Sequence, residues 1–256
     1  MNILVIGDVV GVPGCEYLRR RLPTIKKQYA VDFCIANGEN SAAGNGILPS
    51  SAEFLFDSGV DLITTGNHVF RRREVYDMLD SRSDIIRPAN YYSGNPGKGW
   101  TVADMGSVKI GVINLAGQAF MDGENPFVCA DEYLEKISDC RIKLVDFHAE
   151  ATGEKRALGF YLDGKVSAVF GTHTHVQTAD EQILPNGTGY ITDLGMVGTV
   201  QSVLGVAPEN VITKLRTGMP VRFENNDGEA MLCGCLFEID KQSGKTVDVK
   251  RINIRG

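Results

Sequence analysis

The sequence predicts an α/β fold, and three observations carry that reading. Short apolar runs alternate with helix-like stretches through the first 175 residues, the runs stop at polar or glycine-bearing loops, and the texture turns strand-rich after residue 180. Crossover units in the first part and antiparallel strands in the second predict a mixed, layered β-structure with helices packed on it.

In order, residues 2–6 form an apolar run ending at Gly7-Asp8, and a glycine-rich turn through Gly14 leads to a helix expected over 16–29. Residues 33–36 run into Asn37-Gly38-Glu39-Asn40, Pro49 opens a helix to residue 57, and 60–63 runs into Thr65-Gly66-Asn67-His68. Further strands are expected over 109–114, 141–147 and 166–170, the last two reaching His148 and Gly171-Thr172-His173-Thr174-His175. Asn186-Gly187 reads as a hairpin turn, 208–216 as a helix, and 229–240 with 246–254 as a closing hairpin around Ser243-Gly244. With no linker, repeat or low-complexity segment, a single domain over 1–256 is the simplest division.

Composition narrows the function. With 256 residues, 43% apolar and 23% charged, the chain can bury a large core without disulfides or a structural metal, so a metal found here is expected to be functional. Its 26 basic residues stand against 32 acidic ones, a net charge of -6, which argues against a duplex-binding protein, since affinity for phosphates comes mostly from basic residues. No apolar run approaches the roughly 20 residues of a membrane span. Met1 leads directly into the first apolar run, without a basic leader, and a cytoplasmic location is expected. The six cysteines contain no Cys-x-x-Cys pair and read as buried free thiols.

All four histidines, at 68, 148, 173 and 175, fall at or just past the C-terminal end of an apolar run. Asp8, Glu39, Asn40 and Asn67 occupy equivalent places. Ligands on α/β sheets gather at such strand ends. Convergence would therefore bring two carboxylates, two amides and four imidazoles to one rim, more donors than one ion can use. Nitrogen and oxygen donors without cysteine suit Mn, Fe, Co or Zn in open catalytic positions. Two ions roughly 3.5–4 Å apart, sharing a carboxylate and a water, would supply a nucleophile and a clamp on phosphoryl oxygens. The inferred chemistry is phosphate-ester hydrolysis, with an uncoordinated histidine protonating the departing alkoxide.

Gly7-Asp8, Gly38-Glu39-Asn40, Gly66-Asn67-His68, His148 and Gly171-Thr172-His173-Thr174-His175 resemble, in order, the blocks of the calcineurin-like metallophosphoesterases. Two departures narrow the resemblance. The usual Asp-x-His opening is Asp8-Val9-Val10, and Glu39 followed by Asn40 replaces the usual bridging Asp. Both departures resemble the YmdB-like branch of small bacterial phosphodiesterases that act on cyclic nucleotides.

The resemblance implies a layered αββα fold with mixed sheets flanked by helices, and two divalent transition-metal ions, Fe or Mn first, with Zn, Co or Mg as alternatives. It implies Glu39 as the bridge, Asp8, Asn40 and His175 completing one metal, and Asn67, His148 and His173 completing the other. His68 is left as the proton donor. The implied function is hydrolysis of small phosphodiesters, with 2′,3′-cyclic nucleotides as the leading class, by a metal-bridging hydroxide. A phosphomonoesterase or nuclease would use the same core. A binding module that holds a nucleotide or RNA end without turnover is the reading from another class, and the intact Glu39, His68, His173 and His175 argue against it. Self-association is left open.

Other features have plainer readings. The 7–14 loop lacks both the Gly-Lys-Ser/Thr ending of an ATPase loop and the spacing of a dinucleotide fingerprint. One of Arg71, Arg72 and Arg73 is a candidate to hold a phosphate, against ordinary surface arginines as the simpler reading. Tyr91, Tyr92 and Trp100 lie in a glycine-rich stretch and are candidates to stack on a base, against plain packing. Asn114 ends another run and is a candidate pocket residue without an assigned role.

Overall fold

The computed structural model describes residues 1–256. The expected layering resolves into two six-stranded mixed sheets. The first contains β1 (Asn2–Val9), β2 (Phe33–Asn37), β3 (Leu62–Thr64), β10 (Met196–Thr199), β11 (Ala230–Ile239) and β12 (Thr246–Arg255), in the order β12-β11-β10-β1-β2-β3. The second contains β4 (Trp100–Asp104), β5 (Lys109–Ala116), β6 (Ile142–His148), β7 (Ala168–Thr172), β8 (Gln182–Ile183) and β9 (Gly189–Ile191), in the order β4-β5-β6-β7-β9-β8. β1, β2 and β3 pair in parallel, as do β5, β6 and β7, so their C-terminal ends form two facing rims.

Alternation along β1 shows how the layers form. Leu4 and Ile6 face a core shared with α1 (Gly11–Gln28) and α2 (Pro49–Asp57), where Tyr17, Leu18, Leu22 and Leu55 are buried. Ile3 and Val5 face the opposite way, into a core between the sheets with Ile110, Val112, Leu144 and Phe170. A third core lies on the outer face of the second sheet. There Ile113, Val145, Phe147 and Val169 meet Ala130 of α4 (Pro126–Lys136) and Leu158 and Leu162 of α5 (Thr152–Leu162). The result is helix, sheet, sheet, helix, the αββα arrangement, with α3 (Tyr76–Ser81) following two short 3₁₀ turns and α6 (Pro208–Thr217) preceding β11.

Several boundaries differ from the sequence reading. The 7–14 stretch is not a loop: α1 starts at Gly11, directly after β1. Its glycines allow close approach of helix to strand, because a Cβ on Gly14 would stand 2.3 Å from the Val197 carbonyl oxygen. Pro13 sits in the first turn, where its missing N–H costs nothing. Trp100 begins β4 opposite Ile113 and packs on the third core, which removes it from any base-binding loop. Asn114 is fully buried and its Oδ1 accepts from the Thr65 amide at 3.0 Å, so it fixes the chain entering the Asn67 loop rather than lining a pocket. The Asn186-Gly187 and Ser243-Gly244 turns are present between β8 and β9 and between β11 and β12.

Lys155 of α5 is almost wholly buried and pairs with buried Asp193 at 2.6 Å while donating to the Thr172 carbonyl at 2.8 Å. Asp193 also accepts from the amides of Thr174 and Gly195. The pair therefore clamps the chain leaving β7 to the helix behind it. Removing one partner strands a buried charge, so Lys155→Met is expected to lower unfolding stability by about 3–5 kcal/mol in urea titration. Lys109→Met, which breaks an exposed pair with Asp139, should leave the unfolding midpoint nearly unchanged.

Candidate metal centre

Each block delivers its side chain at the C-terminal end of a parallel strand. Asp8 lies near the end of β1, just after a register shift between Ile6 and Asp8. Gly7 permits that irregularity, because a Cβ there would stand 2.0 Å from the Gly195 carbonyl oxygen. Glu39 and Asn40 follow β2, where the Asn37 Oδ1 accepts from the Glu39 amide at 3.1 Å and turns the chain. Asn67 and His68 follow β3, His148 closes β6, and His173 and His175 follow β7. His173 and His175 hold φ of 103° and 63°, a left-handed conformation that non-glycine residues adopt at a cost and that concentrates at functional sites.

Asp8, Glu39 and His148 have no solvent exposure. Around His148 Nε2 stand Asn67 Oδ1 at 2.9 Å, His173 Nδ1 at 3.1 Å and Glu39 Oε1 at 3.2 Å. The ligand atoms of Glu39, His148 and His173 all lie within 4.8 Å of one another. Gly66 makes room for the ring, since a Cβ there would come within 2.2 Å of the His148 imidazole. On the other side of Glu39, His175 Nε2 is 3.6 Å from Asp8 Oδ1 and 3.3 Å from the Asn40 side-chain amide.

Three outer contacts aim the three rings. Thr172 gives its hydroxyl proton to buried Asp146 at 2.8 Å, so it accepts from His148 Nδ1 at 2.9 Å and leaves Nε2 facing the cluster. Glu150 engages His173 Nε2 at 3.1 Å and leaves Nδ1 facing in. The Leu204 carbonyl accepts from His175 Nδ1 at 3.1 Å and leaves Nε2 facing Asp8. Sequence reasoning missed Thr172 as an orienter, together with Asp146, Glu150 and Leu204. A hydroxyl one residue before His173 and acids two residues before and two residues after His148 were the traces of three of them, and a backbone carbonyl leaves none.

His68 is placed differently. Its amide donates to Glu39 Oε2 at 2.9 Å, and its Nδ1 meets Asn40 Oδ1 at 2.8 Å. The ring borders a cleft of about 390 Å³ whose lining also includes Glu39, Asn40, His173 and His175.

The electrostatics follow from burial of so many charges. Burial alone would raise the Asp8 and Glu39 carboxyls, yet His175 beside Asp8 and His148 beside Glu39 hold both below the usual range. Burial disfavours a charged His148, but Glu39 and Asp8 outweigh it and push the ring up to about 9. Burial and the charge of His148 bring His173 down to about 4, keeping it a neutral donor. Burial also lowers His68, partly offset by Glu39. Asp146 is pushed up to about 7 by burial.

These residues fit a cation. One imidazole nitrogen carries at most one proton, yet three acceptor-capable atoms crowd His148 Nε2. Asp8 Oδ1 is buried without any hydrogen-bond partner. A divalent ion resolves both, and a nitrogen and oxygen donor set without thiolate suits one held in an open site. Asn40 alone is turned otherwise: its Nδ2, not its Oδ1, faces Glu39 and His175.

The other candidates separate. Arg71, Tyr91 and Tyr92 line a neighbouring cleft of about 530 Å³ together with Asn67. Arg72 is committed to the carbonyls of Asn45 and Ala43. All six cysteines are buried and free, as expected. No helix is long and apolar enough to cross a membrane.

Comparison with known proteins identifies relatives along the whole chain. The chain is 46% identical over 256 residues to the 2′,3′-cyclic-nucleotide 2′-phosphodiesterase of Bacillus subtilis (strain 168), covering 99% of this chain and 97% of that protein. A crystal structure of a phosphatase from Mycoplasma pneumoniae superposes with a TM-score of 0.94 at 36% identity, covering 100% of this chain and 93% of that one. A protein from Thermus thermophilus superposes with a TM-score of 0.94 at 40% identity, covering 100% and 99%. The family model described as YmdB-like protein matches residues 4–252, and the chain belongs to that family, a branch of the metallophosphoesterases.

Proposed function

We propose that this chain is a metal-dependent phosphodiesterase that hydrolyses small phosphodiesters, with 2′,3′-cyclic nucleotides as its leading substrates. The observation that carries the reading is the inward aim of three imidazoles around two buried carboxylates, one of which has an oxygen with no partner. The activity named for the Bacillus subtilis relative supports the substrate class.

The proposed ligand set is Asp8, Asn40 and His175 on one side and Asn67, His148 and His173 on the other, with Glu39 shared. Two divalent transition ions, Fe or Mn first, would lower the pKa of a water and neutralise charge on the phosphate when bound. Glu39 suits the shared position because Oε1 faces His148 while the carboxylate also adjoins Asn40 and, through the His68 amide, the cleft. Asn40 would serve as a ligand through Oδ1. A turn of its amide would supply that oxygen. Proton donation by His68 requires the imidazolium, with an N–H on each ring nitrogen.

His68 is the proposed proton donor. Its Nδ1 is engaged by Asn40, and its ring borders the cleft rather than joining the crowded cluster. A ribose alkoxide is a poor leaving group and needs that proton, whereas nitrophenolate leaves unaided near neutral pH.

Elemental analysis tests the ligand set. Glu39→Ala should lose both ions, while Asp8→Ala should lose chiefly one; two ions tightly retained in Glu39→Ala would remove Glu39 from the shared position. Kinetics test the acid. His68→Ala should keep its metals and lose roughly 10²–10⁴-fold in turnover of 2′,3′-cyclic AMP, with a much smaller loss on a nitrophenyl diester. His148→Ala should instead shed metal and slow both substrates together. Equal losses on the two substrates in fully metallated His68→Ala would assign His68 to charge stabilisation.

A further inference from the structure

The cleft of about 530 Å³ adjoins the metal centre through Asn67, whose Oδ1 stands 2.9 Å from His148 Nε2. Its walls are two loops, 90–95 and 120–124, joined through one residue. The Asn90 amide donates to the carbonyls of Ala116 and Glu124 at 2.8 Å each, its Oδ1 accepts from the Ala116 amide at 2.8 Å, and its carbonyl accepts from the Glu124 amide at 2.8 Å. Gly123 admits that junction, since a Cβ there would stand 2.7 Å from Asn90 Nδ2. Arg87 is buried, and its guanidinium goes to the carbonyls of Pro88, Tyr92 and Asn95 rather than to a carboxylate. The cleft is therefore held in shape by buried polar groups.

Two large aromatic side chains on these walls are left in solvent. Tyr92 is 74% exposed, with its ring laid over Gly94, where a Cβ would stand 2.6 Å from Cε1. Phe120 is 95% exposed and holds φ of 60°, so it carries both an unburied apolar ring and left-handed backbone strain. Such strain gathers at ligand clamps. The charged residues of the cleft are Arg71, Asp122 and Glu124, which leaves it no excess of positive charge to attract a second phosphate. A flat, uncharged, polarisable group fits it better, and the volume lies within the range of small-molecule sites.

We propose that this cleft binds the base of a nucleotide substrate, with Phe120 and Tyr92 as its stacking faces, while the phosphate lies at the metal centre. This rests on the phosphodiesterase reading above. Stacking that is equal in the ground and transition states changes KM and not kcat.

Phe120→Ala and Tyr92→Ala, both at exposed positions, are to be compared with the metal-loaded wild type on 2′,3′-cyclic AMP and on glycerol 1,2-cyclic phosphate, a cyclic diester without a base. Each variant should raise KM for 2′,3′-cyclic AMP about tenfold with kcat little changed, the size of one lost base stack, and the loss should be confined to the substrate with a base. Phe120→Tyr should restore the wild-type KM. An unchanged KM for 2′,3′-cyclic AMP, or equal rises on both esters, overturns the assignment. Calorimetric binding of adenosine gives a readout that needs no turnover. Weakening of about tenfold in either alanine variant supports the cleft even if the wild type hydrolyses neither ester, a result that would count against the phosphodiesterase reading alone. Adenosine binding that is undiminished in both variants, or absent in the wild type, overturns the proposal.

Discussion

Two carboxylates without solvent exposure, Asp8 and Glu39, stand near enough that the charge of Asp8 disfavours ionisation of Glu39. Burying one such charge is costly, and burying two together is tolerated only if positive charge enters with them. The rest of the site answers that demand. Against the effect of burial, Glu39 and Asp8 raise His148 and Asp8 raises His175 above the ordinary imidazole range, and the oxygen of Asp8 that no donor reaches marks where protons and N–H groups fall short of what a divalent ion supplies. The cluster is thus a strained part of the fold whose cost is recovered when a cation binds, since a ligand that binds only the folded state stabilises it.

The architecture explains how such a cluster can persist. Facing rims of two parallel strand sets bring Asp8, Glu39 and Asn67 from one sheet to His148 and His173 from the other. No single sheet edge would enclose an ion on both sides. The sheets are held in register by the core of Ile3, Val5, Val112, Leu144 and Phe170 between them, so the spacing of the side chains on the two rims is set by close-packed apolar side chains remote from them. Close approach at the rims depends on missing side chains: Gly7 and Gly171 allow neighbouring carbonyls inside Cβ distance, and Gly66 does the same for the His148 ring.

This division also explains what the sequence made legible. Strand ends are visible in a single chain because an apolar run stops at a polar residue, and that pattern picks out the four histidines with Asp8, Glu39, Asn40 and Asn67. The α/β class and the two hairpin turns at Asn186-Gly187 and Ser243-Gly244 are visible for similarly local reasons. Which strands share a sheet is not. β1 and β6 are both buried on two faces, so their patterns carry no mark of which partner lies beside them. The outer partners of the histidines are hidden too: Thr172 and Asp146 meet across neighbouring strands, and Leu204 reaches His175 through a backbone carbonyl, which has no sequence signature. The glycines of 7–14 read as a loop because Gly marks both turns and close packing, and only the neighbour decides between them.

The three orienting contacts differ in kind, and the difference bears on how the site is tuned. His148 is aimed by a wholly buried hydroxyl and carboxylate, whose own hydrogen bond to Thr64 ties it to β3. His173 is aimed by Glu150, which is about half exposed, and His175 by a carbonyl of Leu204, a residue at φ of 56° on the far loop. Buried contacts of the first kind have no water to replace them and hold one geometry. The other two lie where solvent reaches, beside the cleft of about 390 Å³ that His68 borders. The side of the centre that faces the sheets is therefore the one held by buried groups, and it includes the chain leaving β7, which the Lys155–Asp193 pair ties down through the Thr174 amide. Exposed contacts are confined to Glu150 and to the loop that carries Leu204, and exposed loops are where a fold tolerates variation at least cost.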